Sequence, residues 1–294
     1  MQRRELLAAS IAASIAPISM TRAAAQPSPS SQVADDAGAA PAPKLDLSTK
    51  AARLRAFIQM SGSLDGALLW NYLKTTYFGT IDGHMVPFHG LEAVVISRHV
   101  PLPGGGWLAT SLEQAYRTDL ETGKVLERWR NPVTGETVPV PPWNFTPVRT
   151  RIAPNLEHTR TDEVPGRIDT HRILSVDQQG DDVVFTTQAM IDVTRQLSPE
   201  PFVYNELLTL TASARDLKAP GVPHVPTTCL YTSLATRWRP WMRMGDRPGQ
   251  FVGNGLGRYG VAIADLPAVW LAETERVRPQ LLKDPAAALS ASPG

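Results

Sequence analysis

The chain has 294 residues, with 29 Lys and Arg against 28 Asp and Glu, so its net charge is only +1. That balance gives no electrostatic drive toward nucleic acid or acidic membrane surfaces. Its single cysteine, Cys229, excludes an internal disulfide.

The first 25 residues read as a cleaved export signal of the twin-arginine type. Arg3-Arg4 is followed by a short Ala-rich apolar run and by Ala23-Ala24-Ala25. The run is too short to span a membrane. The expected partner is the twin-arginine translocation machinery, and the expected location is periplasmic or secreted. The signal holds three arginines and one glutamate, so the rest of the chain carries a net −1. Residues 26–43, rich in Ala, Pro, Ser and Asp, read as a disordered linker, and 284–294 as a disordered tail.

Residues 45–60 have helical spacing, with Leu47, Ala51, Leu54 and Phe57 on one face and Ser48 as the N-cap. Beyond Gly62 the pattern turns to strands. Residues 67–81 are rich in aromatic and β-branched types and end at Asp82-Gly83, a hairpin signal. Two further strands flank residues 103–106. "VLERWR" and "TVPV" bracket the turn "NPVTGE", in which Pro132 presets φ and Gly135 supplies a left-handed position. Alternation points Trp129 inward, with Arg128 and Arg130 outward. Strand-like runs then recur to about residue 263, and a closing helix is expected over 267–282, with Pro279 near its end. No strands alternate with long helices, so βαβ units are not expected. The expected fold is a single all-β domain over 44–283. It is an antiparallel, lipocalin/calycin-like barrel with a short N-terminal and a C-terminal helix, and a sandwich is the alternative.

The strand faces nominate residues. "VYNELLTL" groups Tyr204, Glu206, Leu208 and Leu210; "LLWNYLKTTYF" groups Trp70, Tyr72, Lys74 and Thr76. "WLATSLEQAYRTD" separates Glu113 and Arg117 from Leu108, Leu112 and Tyr116. A carboxylate in an apolar barrel has a raised pKa and can exchange protons. Glu206 is therefore the candidate acid or base, with Tyr72 and Tyr204 as hydrogen-bond donors to a substrate oxygen. Glu113 and Arg117, with Trp70, Asn144, Trp238 and Trp241, are candidate ligand contacts. The six histidines lack metal-ligand spacing, so no metal is expected, and no cofactor motif is present. Gly255 to Gly260 fits G-x-G-x-x-G, but no helix comes after it, so a glycine-rich strand is the better reading. Cys229 reads as a small core residue.

"YRTDLETGKVLERWRNPVTGETVPV", residues 116–140, resembles a signature of the family called domain of unknown function 1838. Asn144 in "PPWNFTPV" and the segment "RWRPWMRMGDRPGQ" at residues 237–250 are similar too. The resemblance spans about residue 45 to about residue 259. It implies one exported domain and assigns no activity. The residues themselves suggest a barrel that binds a small apolar or aromatic molecule and transforms it by non-redox acid–base chemistry, as a lyase, isomerase or hydrolase. The alternatives are a non-catalytic carrier and a structural or interaction module.

Overall fold

The computed structural model describes residues 42–143, 145–161, 168–192 and 202–290. The expected signal peptide, most of the expected linker and Asn144 lie outside these described residues. Among the described residues twelve strands run in order: β1 (Leu68–Ile81), β2 (His84–Pro101), β3 (Trp107–Thr118), β4 (Arg128–Arg130), β5 (Thr137–Pro139), β6 (Val148–Ile152), β7 (His158–Arg160), β8 (Ile168–Gln179), β9 (Asp182–Asp192), β10 (Val203–Ser213), β11 (Thr227–Ala235) and β12 (Gln250–Val261). Ten of them close an antiparallel barrel in the order β1-β12-β11-β10-β9-β8-β7-β6-β3-β2, and β4 and β5 form a separate hairpin. Nearly every neighbour in the wall is a neighbour in sequence, as short connections favour. The exceptions are β3 with β6, across the hairpin, and β12 with β1, which closes the wall and removes its edges. The expected barrel is therefore present, and the sandwich is excluded.

Local chemistry explains the strand ends. Asp82 and Gly83 both have positive φ, 48° and 79°. They join β1 to β2 through the turn whose twist suits a two-residue hairpin. Between Tyr77 and Phe78 the β1–β2 register shifts. The extra residue lets both Phe88 and His89 reach the aromatic cluster around Trp129.

Helix α1 (Lys50–Ser61) starts later than its periodicity suggests. Thr49 caps it, accepting from the Ala52 N–H at 3.2 Å, while the Ser48 hydroxyl turns back to Asp46. The helix closes one end of the barrel. Leu54, Phe57, Ile58 and Met60 pack with the inward residues Phe185, Leu210 and Cys229, and the Phe57 ring lies 5.7 Å from that of Phe185. At the other end Trp129 and Val138 of the hairpin pack with Phe88, Trp238, Met242 and Phe251. Trp129 donates to the Phe88 carbonyl at 3.0 Å, and buried Asn131 donates to the Met242 carbonyl at 2.9 Å. The hairpin is thus a stopper fastened to both neighbouring segments. Arg128 and Arg130 face outward, as expected.

A short helix α2 (Ala214–Lys218) comes after β10, capped by Ser213. Three helices then cover the outer face of β1 to β3: α3 (Ala268–Val277), α4 (Pro279–Lys283) and α5 (Pro285–Ser290). The single expected helix breaks at Arg278, because Pro279 supplies no N–H to continue the ladder. The segment expected to be a tail carries α5. Its Leu289 is buried, and Asp284 accepts from the Ala287 N–H at 2.9 Å to start the helix. One apolar anchor and one cap order a stretch whose composition alone suggests none. Trp270 is fully buried edge-on to Trp70 at 6.2 Å and donates to the Gln114 carbonyl. Among the described residues no helix is long and apolar enough to cross a membrane.

Candidate active site

The site is built by strand alternation. Directly paired residues share a face, so the registers of β10, β11, β12, β1 and β2 lay inward residues side by side. One layer runs Glu206, Ser233, Gly253, Tyr77, His89; the layer below runs Leu208, Tyr231, Gly255, Thr75, Leu91 and on to Arg117 of β3. On β12 three successive inward positions between Phe251 and Tyr259, namely Gly253, Gly255 and Gly257, carry no side chain. A Cβ at Gly253 would lie 2.5 Å from Ser233 Oγ and 2.7 Å from Tyr77 Cε1. The glycines are therefore the space into which Tyr77, Thr75 and Ser233 lean. The sequence pattern G-x-G is a strand whose inner face is bare in its middle.

Three tyrosines meet above that gap. The Tyr204 and Tyr231 hydroxyls share a short hydrogen bond, Tyr77 Oη lies 3.4 Å from Tyr231 Oη, and the Tyr231 hydroxyl reaches Glu206 Oε1 at 3.5 Å. Tyr77 is stacked on Phe251 at 4.6 Å with the rings nearly parallel. Burial raises the pKa of all three phenols, so each keeps its proton as a donor. Glu113 faces the same interior. Burial, helped by the charge of Glu206 and opposed by Arg117 and Arg239, pushes its pKa up to about 8. Burial thus favours the protonated form of Glu113 at neutral pH, the form from which a general acid is drawn.

Cations and aromatic rings line the stoppered end. The Arg117 guanidinium lies over Trp143 at 4.7 Å and Trp241 at 4.9 Å and donates to the Pro141 carbonyl at 2.9 Å. Arg239 lies over Phe202 at 5.3 Å and Tyr204 at 5.2 Å. Burial, then repulsion from Arg239, lowers the Arg117 pKa to about 10, which leaves it charged at neutral pH. His89 is fully buried. Burial and Arg117 depress its pKa to about 3, so the ring is neutral, and the Nδ1 contact with the Gly90 carbonyl makes Nδ1 the protonated nitrogen. Beside this end a cleft of about 260 Å³ opens between β3, residues 140–143 and α3, with Arg117 and Trp143 in its lining.

The structure brings Glu206, Tyr204, Glu113 and Arg117 together, with Trp241 at the rim. Trp238 packs on Phe88 and donates to the Arg247 carbonyl, which makes it part of the closure. Tyr72 and Trp70 do not join them, and this corrects their grouping with Glu206. Both point outward from β1. Tyr72 donates to Glu92, itself paired with Lys74 at 3.2 Å, and Trp70 packs under Trp270. The inward set on β1 is the opposite parity, Asn71, Leu73, Thr75 and Tyr77. Sequence reasoning missed Tyr77, Tyr231 and Arg239. The alternation Cys229, Tyr231, Ser233 in "CLYTSL" and the alternating glycines of β12 were the available signals. Cys229 is a buried core thiol, its pKa raised to about 12 by burial. Among the described residues no three His, Cys, Asp or Glu side chains gather as a metal ion would need.

Fold and interior together define a class: a closed, stoppered antiparallel barrel with a polar, tyrosine- and glutamate-lined inner face. The chain belongs to the family described as Protein of unknown function (DUF1838), which matches residues 81–292. The match extends the resemblance seen in the sequence to the C-terminal helices. No curated protein and no solved structure matches the chain.

Proposed function

We propose that the protein is an exported enzyme that binds a small, largely apolar molecule inside the barrel and moves a proton on it without redox chemistry. The observation that carries this reading is the convergence of Glu206 and three tyrosine hydroxyls on one inward face, with Glu113 facing the same interior. A barrel wall needs none of these groups for stability, since burying them carries a desolvation cost. In the proposed step Glu206 removes a proton from carbon or oxygen, Glu113 returns one, and the tyrosines stabilise the oxygen on which charge develops. Isomerisation, elimination and hydrolysis all use these parts. Export through the twin-arginine route is part of the proposal and rests on Arg3-Arg4 and the small-residue exit at residues 23–25.

Native mass spectrometry of the protein purified from its source cells tests the binding. The co-purified molecule is then returned to the protein in D2O. Expected is solvent deuterium in the molecule, or in its product, with a rate at least about 100-fold lower for Glu206→Gln. Release of an unlabelled, unchanged molecule by both proteins would make the barrel a carrier.

A further inference from the structure

We propose that the stoppered end of the barrel is a carboxylate-binding site, so that the molecule taken up is an amphipathic acid whose apolar body enters the chamber while its carboxylate stays between Arg117 and Arg239. This inference rests on the reading of the barrel as a ligand chamber and adds the head group.

Four donors carry it. Among the described residues no carboxylate lies within ion-pair distance of Arg117 or Arg239. Each guanidinium is instead held by two aromatic faces, and Arg117 also donates one N–H to the Pro141 carbonyl, a neutral acceptor. The indole N–H groups of Trp143 and Trp241, the two rings that sandwich Arg117, are also buried without an acceptor. Buried donors left unpaired are rare and costly. Two guanidiniums without a carboxylate partner and two indole N–H groups without an acceptor thus lie at the stoppered end of the barrel, and an anionic acceptor would serve them all.

Geometry selects the kind of anion. The planar fork of each guanidinium matches a planar carboxylate. The carboxyls of Glu206 and Glu113 face the same interior and disfavour a phosphate dianion more than a singly charged head group. His89 adds polarity at the same place, since its neutral Nε2 is buried with no partner and can accept from a protonated ligand group or a water. A cleft that has Arg117 and Trp143 in its lining opens nearby.

The test compares decanoate, 1-decanol and decyl phosphate on the wild-type protein by titration calorimetry. Decanoate is expected to bind at least about tenfold tighter than decanol and tighter than decyl phosphate, with an affinity that falls as salt rises. Arg117→Met and Arg239→Met, which keep an apolar stem over the rings, should each cost decanoate about tenfold and decanol less than about threefold. Equal or weaker binding of decanoate than decanol, a preference for the phosphate, or no decanoate binding at millimolar concentration would overturn the head-group assignment. The comparison on the wild type needs no variant to fold. Deuterium transfer that depends on Glu206, found without a carboxylate preference, would leave the enzyme reading standing and sink this one. A carboxylate preference without deuterium transfer would do the reverse.

Discussion

Replacing Glu113 by Gln should change how stability depends on pH. The carboxyl has a pKa of about 8 in the folded protein against an ordinary 4.5. Below pH 4.5 both folded and unfolded chains hold the proton and the group is silent. Between 4.5 and 8 the unfolded chain gives it up while the folded chain keeps it. Folded protein then binds more protons, and stability falls as pH rises, by about 1.4 kcal/mol per pH unit at the limit. Over pH 5 to 7 the group contributes a loss of roughly 2 kcal/mol, reduced from the limit by screening at a residue that keeps some accessibility. Two buried histidines and the half-buried His158 work the other way. Burial holds His89 at about 3 and His99 and His158 at about 4, so the unfolded chain binds more protons below their ordinary value of 6.5 and stability rises with pH there. The wild-type profile is therefore a maximum between opposing slopes, and the difference between variant and wild type isolates Glu113. Urea unfolding followed by circular dichroism at pH 5, 6, 7 and 8 measures it. Expected is a variant that gains on the wild type steadily from pH 5 to 8. A difference that stays constant across that range would refute the assignment of a retained proton.

Other perturbations act through the packing. Trp129→Ala removes the main plug of the stoppered end together with its hydrogen bond to Phe88, and thermal unfolding should show a loss of about 3–5 kcal/mol. Trp270→Ala opens a hole between the C-terminal helices and the wall, and a loss of about 3–5 kcal/mol is expected by the same measurement. Gly253→Val drives a side chain into Ser233 and the Tyr77 ring. It should cost about 1–3 kcal/mol and disturb the tyrosine environment in near-ultraviolet circular dichroism. Gly135→Ala meets no neighbouring atom, so only its left-handed φ of 75° is penalised, and about 1 kcal/mol should be lost with the near-ultraviolet spectrum unchanged.

Much of the architecture was legible along the chain, because it is set by near neighbours. Asp82-Gly83 demands a hairpin, Pro132 and Gly135 demand a turn, and period-two alternation groups Glu206 with Tyr204 and Glu113 with Arg117 whatever the rest of the chain does. What alternation leaves open is which face of each strand is inside. In β10 and β3 the face bearing the carboxylate turns inward. In β1 the aromatic face of Trp70 and Tyr72 turns outward, because α3 arrives more than 180 residues later to cover it with Trp270. A strand buried on both sides carries no local mark of which apolar face meets the core and which meets a helix. Closure of the wall between β12 and β1 decides the rest. It sets Tyr77 opposite Gly253 and, through β11, beside Tyr231, a meeting of residues about 150 positions apart that no local pattern encodes. Turn chemistry and face grouping were thus determined by sequence alone, while the choice of inner face, and with it the site, was decided by the closed barrel and the helices laid against it.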